Sequence, residues 1–321
     1  MMRCDIVIAT WNALAMTETA LASIRRAANF PYRLILVDNS DEPEAREYFQ
    51  RIADTGEFGE TLLIQNEKNI GWLKATNIGL LHADADYVCL LNNDVVCGED
   101  WLRRCIDLMQ REPDMGLVNP RGNERSENRS VTDPDAYARH LAQTADQCFT
   151  ELPHCSGFCL VVRRHLFKEL GLLDEIFDGG YYEDNDFSYR ARAAGYRCAQ
   201  CDDAFVFHIG SQSFNKMPSD AKRRMIERNH QLCVERWGAV QRHLLLVAGP
   251  DISEERLIAH IRQHQTYLVI NQYVPTAVRE FRHKNLIPIR RAWLGGCWTF
   301  VFQWWYLNHK GRIDEGRVLF R

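Results

Sequence analysis

The chain lacks the ~20 consecutive apolar residues that a membrane-spanning helix requires. Its Trp-rich segment Ala292–Leu307 stops at 16. No internal repeat or low-complexity tract is visible, which excludes solenoids and disordered arrays. No second Cys-x-x-Cys accompanies Cys198-Ala199-Gln200-Cys201, so a structural zinc site is not expected there. The N-terminus runs from Met1 straight into a strand pattern without a signal peptide. The remaining cysteines are scattered, and Cys4, Cys89 and Cys159 sit inside apolar strands as small hydrophobes. A reducing, cytoplasmic setting follows as the expectation. No charge of one sign dominates: the net charge is -4, which gives no global signature of nucleic-acid binding.

What is present is an ordinary globular composition, 46% hydrophobic and 26% charged, over 321 residues. That is enough for two domains or one large one. Charge is uneven along the chain. From Arg279 to Arg321 nine Lys/Arg stand against three Asp/Glu, which leaves the rest near -10. A basic tail of this kind suits an anionic surface.

The first half alternates strand and helix. Strands are expected at Asp5–Thr10, Tyr32–Val37, Thr61–Gln65, Tyr87–Leu91 and Gly116–Asn119. Helices are expected at Thr17–Ala28, Pro43–Ala53, Gly71–Ala83 and Asp100–Arg111. This spacing predicts an α/β doubly wound, mostly parallel sheet with helices on both faces. Ligands in such sheets bind beyond the carboxyl ends of the strands. Thr10-Trp11-Asn12, Asp38-Asn39 and Asn92-Asn93-Asp94 all fall at those ends.

The last of these clusters is the most informative. Tyr87–Leu91 reads as a buried strand that breaks off into Asn92-Asn93-Asp94 and then resumes at Val95-Val96. Short polar side chains at the end of a buried strand are costly without partners. One partner is a divalent cation carrying a diphosphate, since magnesium and manganese take carboxylates together with substrate phosphates. The plainer reading is a turn built on Asn and Asp.

Residues Arg121–Asp135 read as a mobile polar loop and Pro134–Gln147 as a helix. Ser156-Gly157 interrupts the apolar stretch His154–Arg164. Gly179-Gly180 then breaks the chain before Glu183, Asp184 and Asp186, which open a helix. Acids favour a helix N-terminus, but three exceed what a cap needs. Ala204–Phe207 leads to His208 at the end of a strand. After Trp237 the pattern changes to strand, helix, strand at Arg242–Ala248, Ser253–Gln263 and Tyr267–Asn271. The expected division is a domain over 1–238 and a small accessory α/β region with the basic Trp-rich segment over 239–321.

Taken in order, Ile8-Ala9-Thr10-Trp11-Asn12, Val37-Asp38-Asn39-Ser40, Asn69-Ile70-Gly71-Trp72 with Asn77-Ile78-Gly79, Leu91-Asn92-Asn93-Asp94, Ser156-Gly157-Phe158 and Glu183-Asp184-Asn185-Asp186 resemble glycosyltransferase family 2. The likeness covers roughly Asp5 to Trp237 and is nearest to rhamnosyltransferase-like and galactofuranosyltransferase-like bacterial enzymes. It implies a GT-A fold, a nucleotide-diphosphate sugar donor, Mg2+ or Mn2+, and inversion at the anomeric carbon. By that resemblance Thr10 and Asn12 hold the nucleotide and Asp38 pairs with the base. Asn69, Gly71 and Lys74 line the nucleotide, where Gly71 allows close backbone approach and Lys74 meets a phosphate. Asn92-Asn93-Asp94 occupies the place of the Asp-x-Asp motif, with Asn in the first position, so Asp94 alone offers a charged metal ligand. His208 completes the metal site. Gly157-Phe158 matches the turn beneath the donor sugar. Glu183-Asp184 matches the acidic pair that supplies the base: Asp184 is favoured, with Glu183 the alternative and Asp186 left to orient the helix or meet the acceptor. Trp11 and Trp72 stack on sugar or base, or pack.

Two rivals remain beside an inverting transferase. A nucleotidyltransferase would carry a Gly-rich, basic loop after the first strand, where this chain has Thr10-Trp11-Asn12-Ala13-Leu14-Ala15. An inactive sugar-nucleotide or glycan-binding module would be expected to lose Asp94 or the Glu183-Asp184 pair. The expected partners are the donor and a glycan or lipid-linked acceptor, with no nucleic acid. Ala292–Leu307, flanked by basic residues, is expected at a membrane interface, in a homodimer contact or within the core. The first of these would make the protein peripheral on the inner face of the cell membrane.

Overall fold

The computed structural model describes residues 2–123, 130–210, 219–246, 253–270, 274–290 and 315–317. The expected loop over Arg121–Asp135 lies partly, and Ala292–Leu307 wholly, outside the described residues. The chain divides into two compact units. One comprises Met1–Phe149 with His154–Trp237, the other Thr150–Pro153 with Gly238–Arg321.

In the first unit β1 (Cys4–Thr10), α1 (Leu14–Ala27), β2 (Tyr32–Asp38), α2 (Pro43–Thr55), β3 (Thr61–Gln65), α3 (Trp72–Leu81) and β4 (Tyr87–Leu91) follow in alternation. Then come β5 (Val95–Cys97), α4 (Trp101–Arg111), β6 (Met115–Arg121), α5 (Pro134–Thr144), β7 (Phe149–Leu152), of which all but Phe149 belongs to the second unit, and β8 (Cys159–Arg163). The unit closes with α6 (His165–Leu170), α7 (Glu183–Ala193), β9 (Arg197–His208) and α8 (Ser219–Trp237). Strand order is β3-β2-β1-β4-β8-β6-β9-β5. The pairings from β3 to β4 are parallel. β8 then enters antiparallel to both β4 and β6, β9 is parallel to β6, and β5 is antiparallel to β9.

The central strands are apolar throughout because both faces are covered. Ile6, Ile8, Leu34, Leu36 and Cys89 are fully buried, as are Trp101, Cys105, Ile106 and Met109 on one stripe of α4. Helix α3 lies directly on β1: a Cβ at Gly79 would come within 2.4 Å of Val7 Cγ1. At the amino end of β1, buried Asp5 accepts from Arg33 Nε at 3.0 Å and Nη2 at 2.8 Å, and from the N–H groups of Asp84 and Ala85. The carboxylate is thereby fully partnered inside the sheet.

The second unit contains β10 (Arg242–Leu246), α9 (Glu254–Gln263), β11 (Gln265–Ile270), α10 (Thr276–Glu280), β12 (Leu286–Arg290) and β13 (Glu315–Arg317). Its parallel sheet runs β12-β11-β10-β13 over a core that includes Leu245, Leu257, Ile261, Leu268 and Val278. Glu151 receives a bidentate pair from Arg262 at 2.8 and 2.7 Å. Among the described residues no helix is long and apolar enough to cross a membrane, and the cysteines are free thiols.

Candidate active site

Polar strand ends gather at the carboxyl edge of β1, β2 and β4. Thr10 and Asp38 stand opposite one another in register. Asp38 is fully buried; its Oδ1 accepts the Ser40 N–H at 2.8 Å and its Oδ2 the Gln65 amide at 3.2 Å. Asn12 sits at φ 48 and ties the loop after β1 to the loop after β2. Its Oδ1 accepts the N–H groups of Asp41 and Glu42 at 3.0 and 3.2 Å, and its own N–H donates to Ser40 Oγ at 3.0 Å. The Thr10 hydroxyl, also buried, lies 3.3 Å from that of Thr17, and Asn93 donates to Thr17 at 3.0 Å. Thr10 and Asn93 therefore turn inward and brace the edge.

Beside this edge Asn69 Oδ1 accepts the Gly71 N–H at 2.8 Å, an Asx turn that leads into α3. Gly71 stands at φ 87, in the region that a side chain penalises. Lys74 is exposed on the first turn of α3.

Asp94 and His208 meet. Antiparallel pairing of β5 with β9 sets Val95 opposite His208 and brings Asp94 Oδ1 to 3.1 Å from His208 Nε2. The Asn92 amide lies 3.3 Å from the same nitrogen. Asn123 clamps the His208 backbone through its Oδ1 at 2.7 Å and Nδ2 at 3.0 Å. The Phe158 ring stacks on the imidazole with centroids 5.3 Å apart.

Glu183 and Asp184 open α7. The chain reaches them through Gly179, Gly180, Tyr181 and Tyr182, with φ of 88, 93, 68 and 76. Two bulky residues in the left-handed region are strained and need support. Asn229 of α8, fully buried, supplies it by donating to the Gly180 carbonyl at 2.8 Å and the Tyr181 carbonyl at 3.2 Å. Asp186 is fully buried as well. It accepts from Arg190 at 2.8 Å, Arg236 at 2.8 Å and Trp237 at 2.9 Å, so it anchors α7 to α8.

The two acids at the head of α7 differ. Glu183 is 5% exposed and its Oε2 has no hydrogen-bond partner. Burial pushes its carboxyl well above the usual carboxylate range, and the Asp184 charge adds to the effect. Asp184 is half-buried. Its Oδ2 accepts the Gly157 N–H at 2.8 Å and its Oδ1 the Asn185 N–H at 2.8 Å. A Cβ at Gly157 would lie 3.6 Å from both Asp184 Oδ2 and the Trp72 ring, so Trp72, Gly157 and Asp184 form one patch. One turn thus serves two chemistries. Gly157 holds the carboxylate of Asp184, and Phe158 stacks on His208 while its carbonyl accepts the Asn92 N–H at 2.9 Å.

The structure brings together Thr10, Asn12 and Asp38, Asn92 with Asp94 and His208, and Gly157 with Asp184. Sequence reasoning missed Asn123, Asn229, Gln65 and the stacking role of Phe158. A lone Asn or Gln in a helix, in a polar loop or at a strand end carries no periodic signal; only Phe158, quoted with Gly157, stood inside a motif.

A family model described as glycosyl transferase family 2 matches residues 5–171. The uncharacterized protein y4gI of Sinorhizobium fredii is 26% identical over 250 residues, which cover 73% of this chain and 27% of that protein. The N-acetylglucosaminyl-diphospho-decaprenol L-rhamnosyltransferase of Mycobacterium tuberculosis is 25% identical over 250 residues, covering 67% and 78%. Among solved structures, GalNAc-T7 with UDP, GalNAc and Mn2+ superposes with a TM-score of 0.55 at 15% identity, covering 74% of this chain and 49% of that one. The last likeness shows the fold, which is of the GT-A type. The chain spans less than half the length of y4gI and of the GalNAc-T7 chain.

Proposed function

The chain belongs to glycosyl transferase family 2, and from that premise we propose that it moves a sugar, with inversion, from a nucleotide-diphosphate donor to an acceptor hydroxyl. The observation that carries this reading is the Gly157-Phe158 turn, which touches Asp184 on one side and the Asp94–His208 pair on the other. An inverting transfer needs a base at the acceptor and positive charge at the leaving diphosphate, and this turn couples candidates for both.

Asp184 is the base in this proposal. Its oxygens accept the Gly157 and Asn185 N–H groups, and the half-buried carboxylate stands beside Trp72 and Gly157, where it is placed to take an acceptor hydroxyl proton. Glu183 is buried with its carboxyl pushed well above the usual range, and is the poorer candidate to take that proton. Trp72 offers a flat apolar face beside Gly157 for a sugar. Asn12 and Asp38 shape the floor for the base, and Lys74, exposed at the start of α3, suits a phosphate.

Asp94 and His208, with Asn92 beside them, fit a divalent cation: a carboxylate oxygen and an imidazole nitrogen already converge within 3.1 Å. When bound, Mg2+ or Mn2+ supplies the charge that stabilises the departing diphosphate. Residues 1–238 act as the catalytic domain in this reading, and 239–321 as an accessory region. The mycobacterial relative's name supports a lipid-linked acceptor and bacterial glycan assembly, and Ala292–Leu307 with its basic flanks suits a peripheral membrane contact on the cytoplasmic face.

The test is product mass after incubation with UDP-, GDP- and dTDP-sugars, with and without Mn2+. Transfer or donor hydrolysis that depends on the cation, and that Asp94→Ala abolishes, is the expected result. Full activity after exhaustive chelation would remove the metal from the proposal. Donor binding without turnover would replace transfer with a binding module.

A further inference from the structure

Three histidines of the second unit take no part in the proposed transfer. His243 lies on β10, His260 on the last turn of α9, and His264 is the C-cap of that helix. One ligand atom from each lies within 4.8 Å of the other two. His243 Nδ1 is 2.9 Å from His260 Nε2, and the three ring centroids are 4.4 to 4.9 Å apart.

The placement is built into the backbone. The Gln265 N–H donates to the Gln241 carbonyl at 3.0 Å, the His264 N–H to the His260 carbonyl at 3.0 Å, and the Thr266 hydroxyl to the His264 carbonyl at 2.9 Å. The strand bearing His243 and the helix end bearing the other two are thus locked in register. Gln241 adds a further constraint, because its Oε1 lies 3.1 Å from His243 Nε2. An amide oxygen only accepts, so Nε2 carries the proton and Nδ1 turns its lone pair toward His260. Metal-bound imidazoles use this same partnering of the second nitrogen.

We propose that His243, His260 and His264 bind one transition-metal dication of the zinc class, with a remaining coordination position for water or an added ligand. Three imidazoles favour Zn2+, Co2+, Ni2+ or Cu2+, whereas Mg2+ and Mn2+ prefer oxygen. The site is therefore separate in chemistry from the Asp94–His208 pair and stands whether or not sugar transfer does. Burial, with the two neighbouring imidazoles, holds His260 down to about 4, so it is a neutral donor at pH 7. A bound ion would clip β10 to the end of α9 in a unit with a small core.

The experiment uses the full chain, freed of any tag and stripped of metal. It is titrated with Co2+ under visible absorption and with Zn2+ by calorimetry. An Asp94→Ala/His208→Ala background removes the other cation site and is expected to bind one equivalent of Co2+ with tetrahedral absorption, displaced by Zn2+ and not by Mn2+. Gln241→Ala should weaken binding about 10–100-fold, and His260→Ala/His264→Ala should abolish it. Circular dichroism checks the fold of each variant. If the double variant fails to fold, His264→Gln takes its place, and a folded His264→Gln chain that binds Zn2+ like its parent overturns the proposal. No tetrahedral absorption and no Zn2+ heat in the Asp94→Ala/His208→Ala chain, or displacement by equimolar Mn2+, overturns it equally.

Discussion

Asp184→Asn is the sharpest perturbation of the proposed chemistry, because amide and carboxylate share a shape and differ in their capacity to take a proton. Loss of a general base costs about 10²–10⁴ in rate, or about 2.7–5.4 kcal/mol of transition-state stabilisation at 1.36 kcal/mol per decade. The structure adds a second, smaller effect. Both Asp184 oxygens accept backbone N–H groups, from Gly157 and Asn185. Asparagine has one acceptor oxygen, so one backbone N–H would face an NH2 group, at a local cost of about 1–3 kcal/mol. Rate and stability must therefore be measured together, by initial rates of product formation and by thermal denaturation. The expected outcome is a chain that stays folded at the assay temperature, binds donor nearly as its parent does, and turns over about 10²–10⁴ more slowly. Glu183→Gln is the control and should keep near-normal turnover, since Glu183 is buried away from the Gly157–Trp72 patch that Asp184 joins and Gln preserves its shape. Asp184→Asn turnover within about tenfold of the parent, together with an inactive Glu183→Gln chain, would refute the reasoning and move the base to Glu183.

Three further outcomes follow from the same structure. Burial raises the folded Glu183 carboxyl above its ordinary 4.5, so the folded state holds the extra proton. The stability this contributes is full below the unfolded value and is lost as pH rises through the folded one, at about 1.4 kcal/mol per unit. In urea denaturation Glu183→Gln should therefore gain stability relative to its parent as pH rises from about 4.5; a difference independent of pH would contradict the assignment. Asp5→Ala leaves Arg33 with only Asp84 and the His82 carbonyl and deprives the Asp84 and Ala85 N–H groups of their acceptor; it should destabilise by about 1–3 kcal/mol, measured in the same way. Asn229→Leu removes the donor that holds the Gly180 and Tyr181 carbonyls. It should lower kcat more than it raises the donor KM, and unchanged kcat in a folded chain would assign α8 a purely structural part.

Much of the fold was legible because continuous apolar runs mark strands buried on both faces. Tyr87–Leu91, buried at every position, matches its expected limits to the residue, as does Thr61–Gln65, although that edge strand is only partly buried. Direction was not legible: the apolar run containing Cys159–Arg163 says nothing of its antiparallel insertion between β4 and β6. Strand β9 starts at Arg197, well before the expected Ala204, because Asp202 and Asp203 disguise it. These acids are buried and paired with Arg121 and Arg104, contacts that no local pattern encodes. The same holds at the candidate site. Strand-end clusters stand out as interrupted apolar runs, and their gathering at one edge follows from strand order. Which side chain turns inward does not: Asn93 bonds Thr17 while its neighbour Asn92 faces His208. Asn123 and Asn229 act across long stretches of chain and leave no trace in spacing.

The pairing of β5 with β9 also orders events in time. His208 follows Asp94 by 114 positions. At 5–20 residues per second, ribosomes need roughly 6–23 s to cover that interval. Meanwhile β1 to β4, with Thr10, Asn12 and Asp38, have already been made and can pair as parallel strands. The nascent chain thus spends that interval with Asp94 lacking its histidine, as well as the carboxylates of α7 for most of it. A polypeptide aborted between β4 and β9 keeps Thr10, Asn12 and Asp38, the edge that the proposal assigns to the nucleotide, and never joins Asp94 to His208.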